Sequence, residues 1–225
     1  MSYKSIALDG PSGAGKSTLA RKLAGALGYL YVDTGAIYRT VGLACARAGA
    51  DLADPAAVTA LLPGLSIDLR HGGDGVQRMY LDGEDVSEAI RRPEVSEYAS
   101  LVSAIPEVRA FLMEMQRALA RRQDVVMDGR DIGTAVLPAA DVKIFLTASA
   151  EDRARRRYEE LLQRGNDTDY DTVLRDIVAR DARDTGRAAA PLRRAEDAVL
   201  VDTTGNTLEQ SFAVLLQTIK EKLQA

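Results

Sequence analysis

Gly10-Pro11-Ser12-Gly13-Ala14-Gly15-Lys16-Ser17 follows a short apolar run, Ser5-Ile6-Ala7-Leu8, and opens a helical pattern that begins at Thr18. Strand, glycine-rich turn and helix, in that order, are the context in which G-x-x-x-x-G-K-[ST] works as a phosphate loop. Glycines let successive backbone N–H groups curl around an anion, and the helix N-terminus adds partial positive charge. In such a loop Lys16 reaches the β- and γ-phosphates and the Ser17 hydroxyl sits on Mg²⁺. An ordinary glycine-rich turn requires neither the flanks nor the Lys-Ser pair. The stretch from Gly10 to Thr18 therefore points to a bound nucleoside triphosphate.

Composition sets the limits around that loop. The chain has 225 residues, 46% hydrophobic and 28% charged, which suits a single domain with insertions and a sizeable core. A net charge of −4 supplies no global basic field, so neither a nucleic-acid polymer nor a membrane surface is expected as partner. The single Cys45 excludes an internal disulfide, and its helical surroundings suggest a small packed hydrophobe. No apolar run reaches transmembrane length and strand 1 starts without a signal-peptide pattern, so a cytoplasmic setting is expected. The lone His71, in Arg70-His-Gly-Gly-Asp-Gly75, reads as an exposed hairpin tip rather than a catalytic base.

Outward from the loop, strands and helices alternate. Tyr29-Leu-Tyr-Val32 reads as a second strand, followed by a helix over 36–48 with Asp33 and Thr34 as caps. A short helix over 54–62 stops at Pro63-Gly64. From 64 to about 87 the pattern becomes alternating polar and apolar, with Asp82-Gly83 as a two-residue hairpin turn, so an antiparallel insertion is expected there. Helices are predicted over 86–90, 93–104 and 106–122. Strands follow at Val125-Val-Met127, Val142-Lys-Ile-Phe-Leu146 and Val199-Leu-Val-Asp202, with helices over 150–163, 170–183 and 208–223. Short apolar strands alternating with helices predict a parallel sheet covered on both faces.

Arginines give a second signal. Arg153, Arg155, Arg156 and Arg157 crowd one predicted helix, and Arg180, Arg183 and Arg187 recur at i, i+3, i+7 on the next. That spacing puts the last three on one face if the helix persists past Gly186. They are either a solvated face paired with Glu159, Glu160, Asp181 and Asp184, or a lid over phosphates, since phosphoryl transfer is catalysed mainly by cations that hold the moving group. Thr34 and Arg39, leaving strand 2 at the carboxyl edge where doubly wound sheets bind ligands, suit a second phosphate. A plain cap and a surface residue are the alternative. Asp128 ends a central strand where such enzymes often place a carboxylate near Mg²⁺ through water; Asp131 is either functional or a cap. A GTP switch would need Asn-Lys-x-Asp after a later strand, and Thr147-Ala-Ser-Ala lacks it, so a small-molecule kinase leads over a nucleotide-binding switch.

Five motifs in order span nearly the whole chain. They are the loop with Asp9 before it, Asp33-Thr-Gly-Ala-Ile-Tyr-Arg39, Leu81-Asp-Gly-Glu-Asp-Val-Ser87, Asp128-Gly-Arg-Asp-Ile-Gly-Thr134 and Arg180-Asp-Ala-Arg-Asp-Thr-Gly-Arg-Ala-Ala-Ala-Pro-Leu192. Together they resemble bacterial cytidylate kinases. The resemblance implies an α/β P-loop kinase core with a five-stranded parallel sheet flanked by helices, in one domain over 1–225. It also implies a nucleoside-monophosphate-binding insertion over 63–104, containing the antiparallel strands, and a short helical, arginine-rich lid over 152–190. The implied reaction moves the γ-phosphoryl of ATP to CMP or dCMP, with Mg²⁺, in a monomer; the alternatives are another small acceptor such as UMP, or a switch.

By the same resemblance, Thr34 and Arg39 bind the acceptor phosphate. Ser100, Arg109, Arg130 and Asp131 face cytosine, while Arg180, Asp184 and Arg187 hold sugar and phosphates. Lys16, Arg130, Arg180 and Arg187 are then the catalytic cations, Arg157 joins Gly10 to Thr18 in holding ATP, and Ser17 with Asp128 (through water) serves the metal. A carboxylate at Asp131 accepts from the exocyclic amine of cytosine and opposes the O4 acceptor of uracil.

Overall fold

In a computed structural model, which describes residues 3–163 and 165–224, the alternation becomes a chain of eight strands and eight α-helices among the described residues. In order these are β1 (Ser5–Asp9), α1 (Lys16–Leu27), β2 (Leu30–Asp33), α2 (Thr34–Arg47), α3 (Pro55–Leu61), β3 (Ile67–His71), β4 (Gln77–Leu81) and β5 (Glu84–Asp85). Next come α4 (Pro93–Val102), α5 (Pro106–Ala120), β6 (Val125–Gly129), β7 (Val142–Thr147), α6 (Ala150–Gln163), α7 (Tyr170–Gly186), β8 (Val199–Asp202) and α8 (Leu208–Gln224). The chain divides into two compact units: residues up to Tyr31 together with those from Gln123 onward, and Val32–Arg122.

The first unit is built on the parallel sheet, in the strand order β2-β6-β1-β7-β8. Runs such as Ile6 to Leu8 and Val125 to Met127 are wholly buried, as strands covered on both faces must be. Its core joins Ile6, Leu8, Val126, Ile144 and Leu146 of the sheet to Leu19 and Leu23 of α1 and Leu215 and Ile219 of α8. The register pairs Asp9 with Gly129 on one side and with Phe145 on the other. β1 thus delivers the phosphate loop at the carboxyl edge, flanked by the ends of β6 and β7, where ligands gather in open parallel sheets. A smaller apolar cluster, Ala154, Val173 and Ile177, fastens α6 to α7.

In the second unit, β3, β4 and β5 form the expected antiparallel sheet, with Asp82 at φ 50° and Gly83 at φ 86° making the tight hairpin turn. Its core packs α2 against α4 and α5 through Ile37, Val41, Val95, Val102, Val108 and Leu112. Gly42 permits the crossing of α2 and α4, because a Cβ there would lie 2.7 Å from Cβ of Tyr98. α2 starts at Thr34 rather than 36, capped by Asp33, whose Oδ1 accepts from the Ala36 N–H at 2.9 Å. The helix expected over 86–90 is instead a single 3₁₀ turn at Ala89–Arg91. His71 ends β3, one residue before the hairpin tip.

Candidate active site

Glycine is dictated at position 10 by space as well as by conformation. Its φ is 155°, and a Cβ there would overlap the carbonyl oxygen of Leu146 on β7. The loop then bends back so that the buried Lys16 donates from Nζ to the Pro11 carbonyl at 2.7 Å. Burial, with the neighbouring guanidinium of Arg130, holds the Lys16 ammonium well below its ordinary pKa, and Asp128 works in the opposite direction. An incoming polyphosphate would restore its preference for the charged form. At the start of α1 the Ser17 hydroxyl donates to Oδ2 of Asp128 at 2.9 Å, and Tyr31 donates to Oδ1 at 2.9 Å.

Beyond β6 stands a cluster of cations and carboxylates. Arg130 donates from Nε to Oδ2 of Asp184 on α7 at 2.8 Å. Burial works to raise the Asp184 carboxyl, but Arg130, Arg180 and Arg187 outweigh it and keep the group below the usual carboxylate range. Arg187, the residue that ends α7, lies 3.7 Å from Oδ1 of Asp131, with both side chains nearly fully buried. It also donates from Nε to the Ala190 carbonyl at 2.7 Å. The sequence spacing suggested that Arg180, Arg183 and Arg187 share a face. Arg183 is exposed, and the inward row is Arg180, Asp184 and Arg187. Asp131 precedes a five-residue π-turn, Ile132–Val136, but its side chain makes no capping hydrogen bond, so the capping alternative falls away. Lys16, Arg130, Arg180 and Arg187 thus stand among Asp9, Asp128, Asp131 and Asp184 in one unit.

The other expected residues belong to the second unit. Asp33 caps α2 through Oδ1 and holds Arg39 through Oδ2, 2.7 Å from Nη2. The backbone of Asp33 is itself fixed by Gln77, whose Oε1 accepts from the Asp33 N–H at 2.8 Å. Thr34 and Arg39 therefore meet at a helix N-terminus, an arrangement suited to an anion. Arg109 is buried, donates to the Ser103 carbonyl at 3.3 Å and lies over the Tyr38 ring at 5.7 Å. Ser100 is one turn away, its carbonyl accepting from the Ser103 hydroxyl at 3.1 Å.

On α6, Arg155 and Arg156 both pair with the buried Asp152, and Arg157 pairs with Glu160 at 2.9 Å on a part-exposed face. Arg153 turns inward. It donates to the Ser12 carbonyl of the phosphate loop and to the Ala148 carbonyl, each at 2.9 Å, and pairs with Asp181 of α7 at 2.7 Å.

The comparisons with known proteins fall on this geometry. A family profile described as Cytidylate kinase matches residues 6–221, which takes in the phosphate loop, the Asp128 to Thr134 loop and the inward row on α7. The chain belongs to the cytidylate kinase family. The cytidylate kinase of Carboxydothermus hydrogenoformans is 51% identical over 96% of this chain and 97% of its own. That of Pelotomaculum thermopropionicum is 51% identical over 96% and 95%. Among solved structures, an uncharacterized protein from Eubacterium ventriosum shares the fold at a TM-score of 0.54, with 12% identity, 97% of this chain and 98% of that one covered.

Two participants in this cytidylate kinase architecture escape motif reading. Arg153 looked like one more member of a charged stripe, and only the chain path reveals that it braces the phosphate loop. Asp9, the residue before the loop, carries no role in the motif. Its buried carboxylate accepts from the backbone N–H groups of Ile132 and Gly133, each at 2.7 Å. The short gap before the π-turn is the one local signal: Asp131 sits where a cap is expected, and nothing near it in sequence shows that the capping oxygen comes from elsewhere.

Proposed function

We infer that this chain transfers the γ-phosphoryl of ATP to CMP or dCMP, releasing ADP and CDP or dCDP. The observation that carries the reading is the cluster around Asp184 beside the phosphate loop. Three arginines, Arg130, Arg180 and Arg187, bear on the one buried carboxylate of Asp184 there. Such a site gathers cations, as a phosphoryl-transfer site must before its substrates enter.

The loop from Gly10 to Thr18 cradles the triphosphate, with Lys16 on its β and γ oxygens. Arg157, held by a part-exposed pair with Glu160, is the α6 arginine we assign to ATP. Thr34, Arg39 and the head of α2 take the acceptor phosphate. Arg180, Asp184 and Arg187 hold sugar and phosphates, while Arg130, Arg180 and Arg187 neutralise the charge that spreads over the moving group. No covalent enzyme intermediate is required, because phosphoryl transfer depends on positioning and charge stabilisation.

The residues present fit Mg²⁺. Ser17 Oγ and Asp128 Oδ2, 2.9 Å apart, offer hard oxygen donors. Among the described residues no group of three or more His, Cys, Asp or Glu side chains is placed to hold a metal, so phosphate and water must complete the coordination, as is usual for this ion. We assign Ser17 and, through water, Asp128 to it. When bound, Mg²⁺ would neutralise negative charge on the triphosphate.

Ser100, Arg109, Arg130 and Asp131 read the base. Asp131 accepts from the cytosine amine and would oppose the uracil O4, an unpaired polar contact that can cost about 10⁴-fold. Closure of the insertion over 63–104 and of the lid over 152–190 would keep water from the phosphoryl group. The reading includes a monomer in the cytoplasm; no helix among the described residues is long and apolar enough to cross a membrane. In steady-state assays, Asp131→Ala is expected to reduce the CMP-to-UMP ratio of kcat/KM by at least about 10²-fold, part of the polar discrimination above. An unchanged ratio would remove Asp131 from base recognition.

A further inference from the structure

Helical segments begin with backbone N–H groups that have no partner inside the segment, and a side chain at the N-cap ordinarily accepts from one of them. The π-turn Ile132–Val136 has an aspartate at that position, yet the Asp131 side chain makes no capping bond. Within the turn, the Ala135 and Val136 N–H groups donate to the Asp131 carbonyl at 2.8 and 3.2 Å. Its first two N–H groups, those of Ile132 and Gly133, donate instead to the two carboxylate oxygens of Asp9, each at 2.7 Å. Asp9 is more than 120 residues away in sequence and adjacent to Gly10 of the phosphate loop.

We propose that Asp9 is a remote cap and a specificity-determining positioning residue: by taking the capping bonds of the 132–136 turn it lets the Asp131 carboxylate face the nucleotide base. The local alternative, an Asp131 cap, would turn that carboxylate onto its own backbone. Capping from β1 leaves it directed towards Arg187 instead, at 3.7 Å. The same two bonds set the position of Arg130, two residues before Ile132 and itself held by Asp184. One strand end thus fixes both the triphosphate loop and the base-reading loop.

The two backbone N–H bonds and Lys16 favour the ionised clamp, against burial and Asp131. Asp9 is faced by Lys16 from α1 and by Asp131 from the loop, and the Lys143 methylenes of β7 pack over Gly133 next to it. The Lys143 ammonium is directed away, to Asp197 at 2.7 Å and to the Pro138 carbonyl at 2.5 Å. Burial pushes the Asp9 carboxyl up to about 6, with the two backbone N–H bonds resisting. An apolar residue at this place would pack without that opposition, so the carboxylate is kept for its two acceptors.

The inference rests on Asp131 reading cytosine, and the test separates the two. In Asp9→Asn the amide offers one acceptor and points a donor at the second N–H. Hydrogen exchange by mass spectrometry should then accelerate at least tenfold in the segment 130–136, with α1 unchanged. The CMP-to-UMP ratio of kcat/KM should fall at least tenfold, while KM for ATP moves less than threefold. Gly133→Ala is the second variant: its Cβ would press within 3.4 Å of Asp9 Oδ2 and 3.1 Å of Lys143, loosening the clamp from the other side with the same sign and smaller size. Unaccelerated exchange in both variants would overturn the cap. Faster exchange with an unchanged ratio, where Asp131→Ala has abolished it, would overturn the specificity role. If Asp131→Ala itself keeps the ratio, the base reading fails, and exchange alone then decides whether Asp9 caps the turn. Equal losses towards CMP and UMP with a lowered melting temperature would mark Asp9 as merely structural.

Discussion

α6 and α7 are consecutive helices of similar length, both rich in arginine, and they use it differently. On α6, Arg155 and Arg156 converge on Asp152 within their own helix, and Arg157 answers Glu160 one turn on. On α7, Arg180 and Arg187 turn inward with Asp184 between them, and Arg130 arrives from the end of β6 to share that carboxylate. Both helices mix arginines with acids. What separates them is where the shared acid is reached from: Asp152 gathers arginines of its own helix alone, whereas Asp184 also takes Arg130 from the end of β6 and acts on Lys16 of the phosphate loop. Arg153 belongs to neither pattern. It sits on α6 but serves the phosphate loop, through Ser12, and α7, through Asp181.

The sharpest break of this contrast is Arg187→Ala against Arg183→Ala, two substitutions one turn apart on α7. Removing Arg187 is expected to lower kcat by about 10³-fold, the scale of an arginine that stabilises transition-state charge. Arg183→Ala, on the exposed side, should leave turnover near that of the parent. Near-normal turnover in Arg187→Ala would end its catalytic role.

Arg153→Ala comes next and acts mainly on stability. It removes the partner of a largely buried Asp181 as well as the bonds to Ser12 and Ala148, and a loss of about 2 kcal/mol is expected in urea unfolding, below the range for a fully buried pair. KM for ATP should rise with it. A variant as stable as the parent would show that the brace is not needed.

A smaller effect tests the buried acid behind the cluster. The Asp9 carboxyl has a folded-state value of about 6 against 3.8 for an ordinary aspartate, so the folded chain binds more protons than the unfolded one between those values. This group therefore opposes folding by about 3 kcal/mol at pH 7, and its cost shrinks as the pH falls through 6 towards 4. Relative to Asp9→Asn, the parent should gain about 1 kcal/mol of stability between pH 7 and pH 5. A constant difference between the two proteins would contradict a raised Asp9. The smallest effect is Arg157→Ala: less than about 0.5 kcal/mol of stability for its part-exposed pair, and a severalfold rise in KM for ATP if it turns to the nucleotide. An unchanged KM would leave α6 without a role in ATP binding.

Much of the fold was legible because its signals are local. The phosphate loop carries its own flanks, Asp82-Gly83 names its own turn, and Asp33 and Asp54 stand where helix caps belong. The strands of the parallel sheet are short and mainly apolar, so their burial and parallel pairing followed from pattern alone. What sequence did not give is long-range. The i, i+3, i+7 spacing of Arg180, Arg183 and Arg187 carries no information on which side of α7 meets the site. A five-residue turn capped from position 9 leaves no mark near itself, and Arg153 is indistinguishable from its neighbours until the path of α6 past Ser12 is known. The candidate site residues were readable as motifs, while the partners the structure gives them were not.

The central claim is that the cluster beside the phosphate loop serves a cytosine nucleotide as acceptor. The most direct measurement is ADP release from ATP and Mg²⁺ with CMP, dCMP, UMP, AMP or no acceptor, run in parallel. The account predicts turnover confined to CMP and dCMP. ADP release at equal rates with every acceptor, or with none, would contradict it.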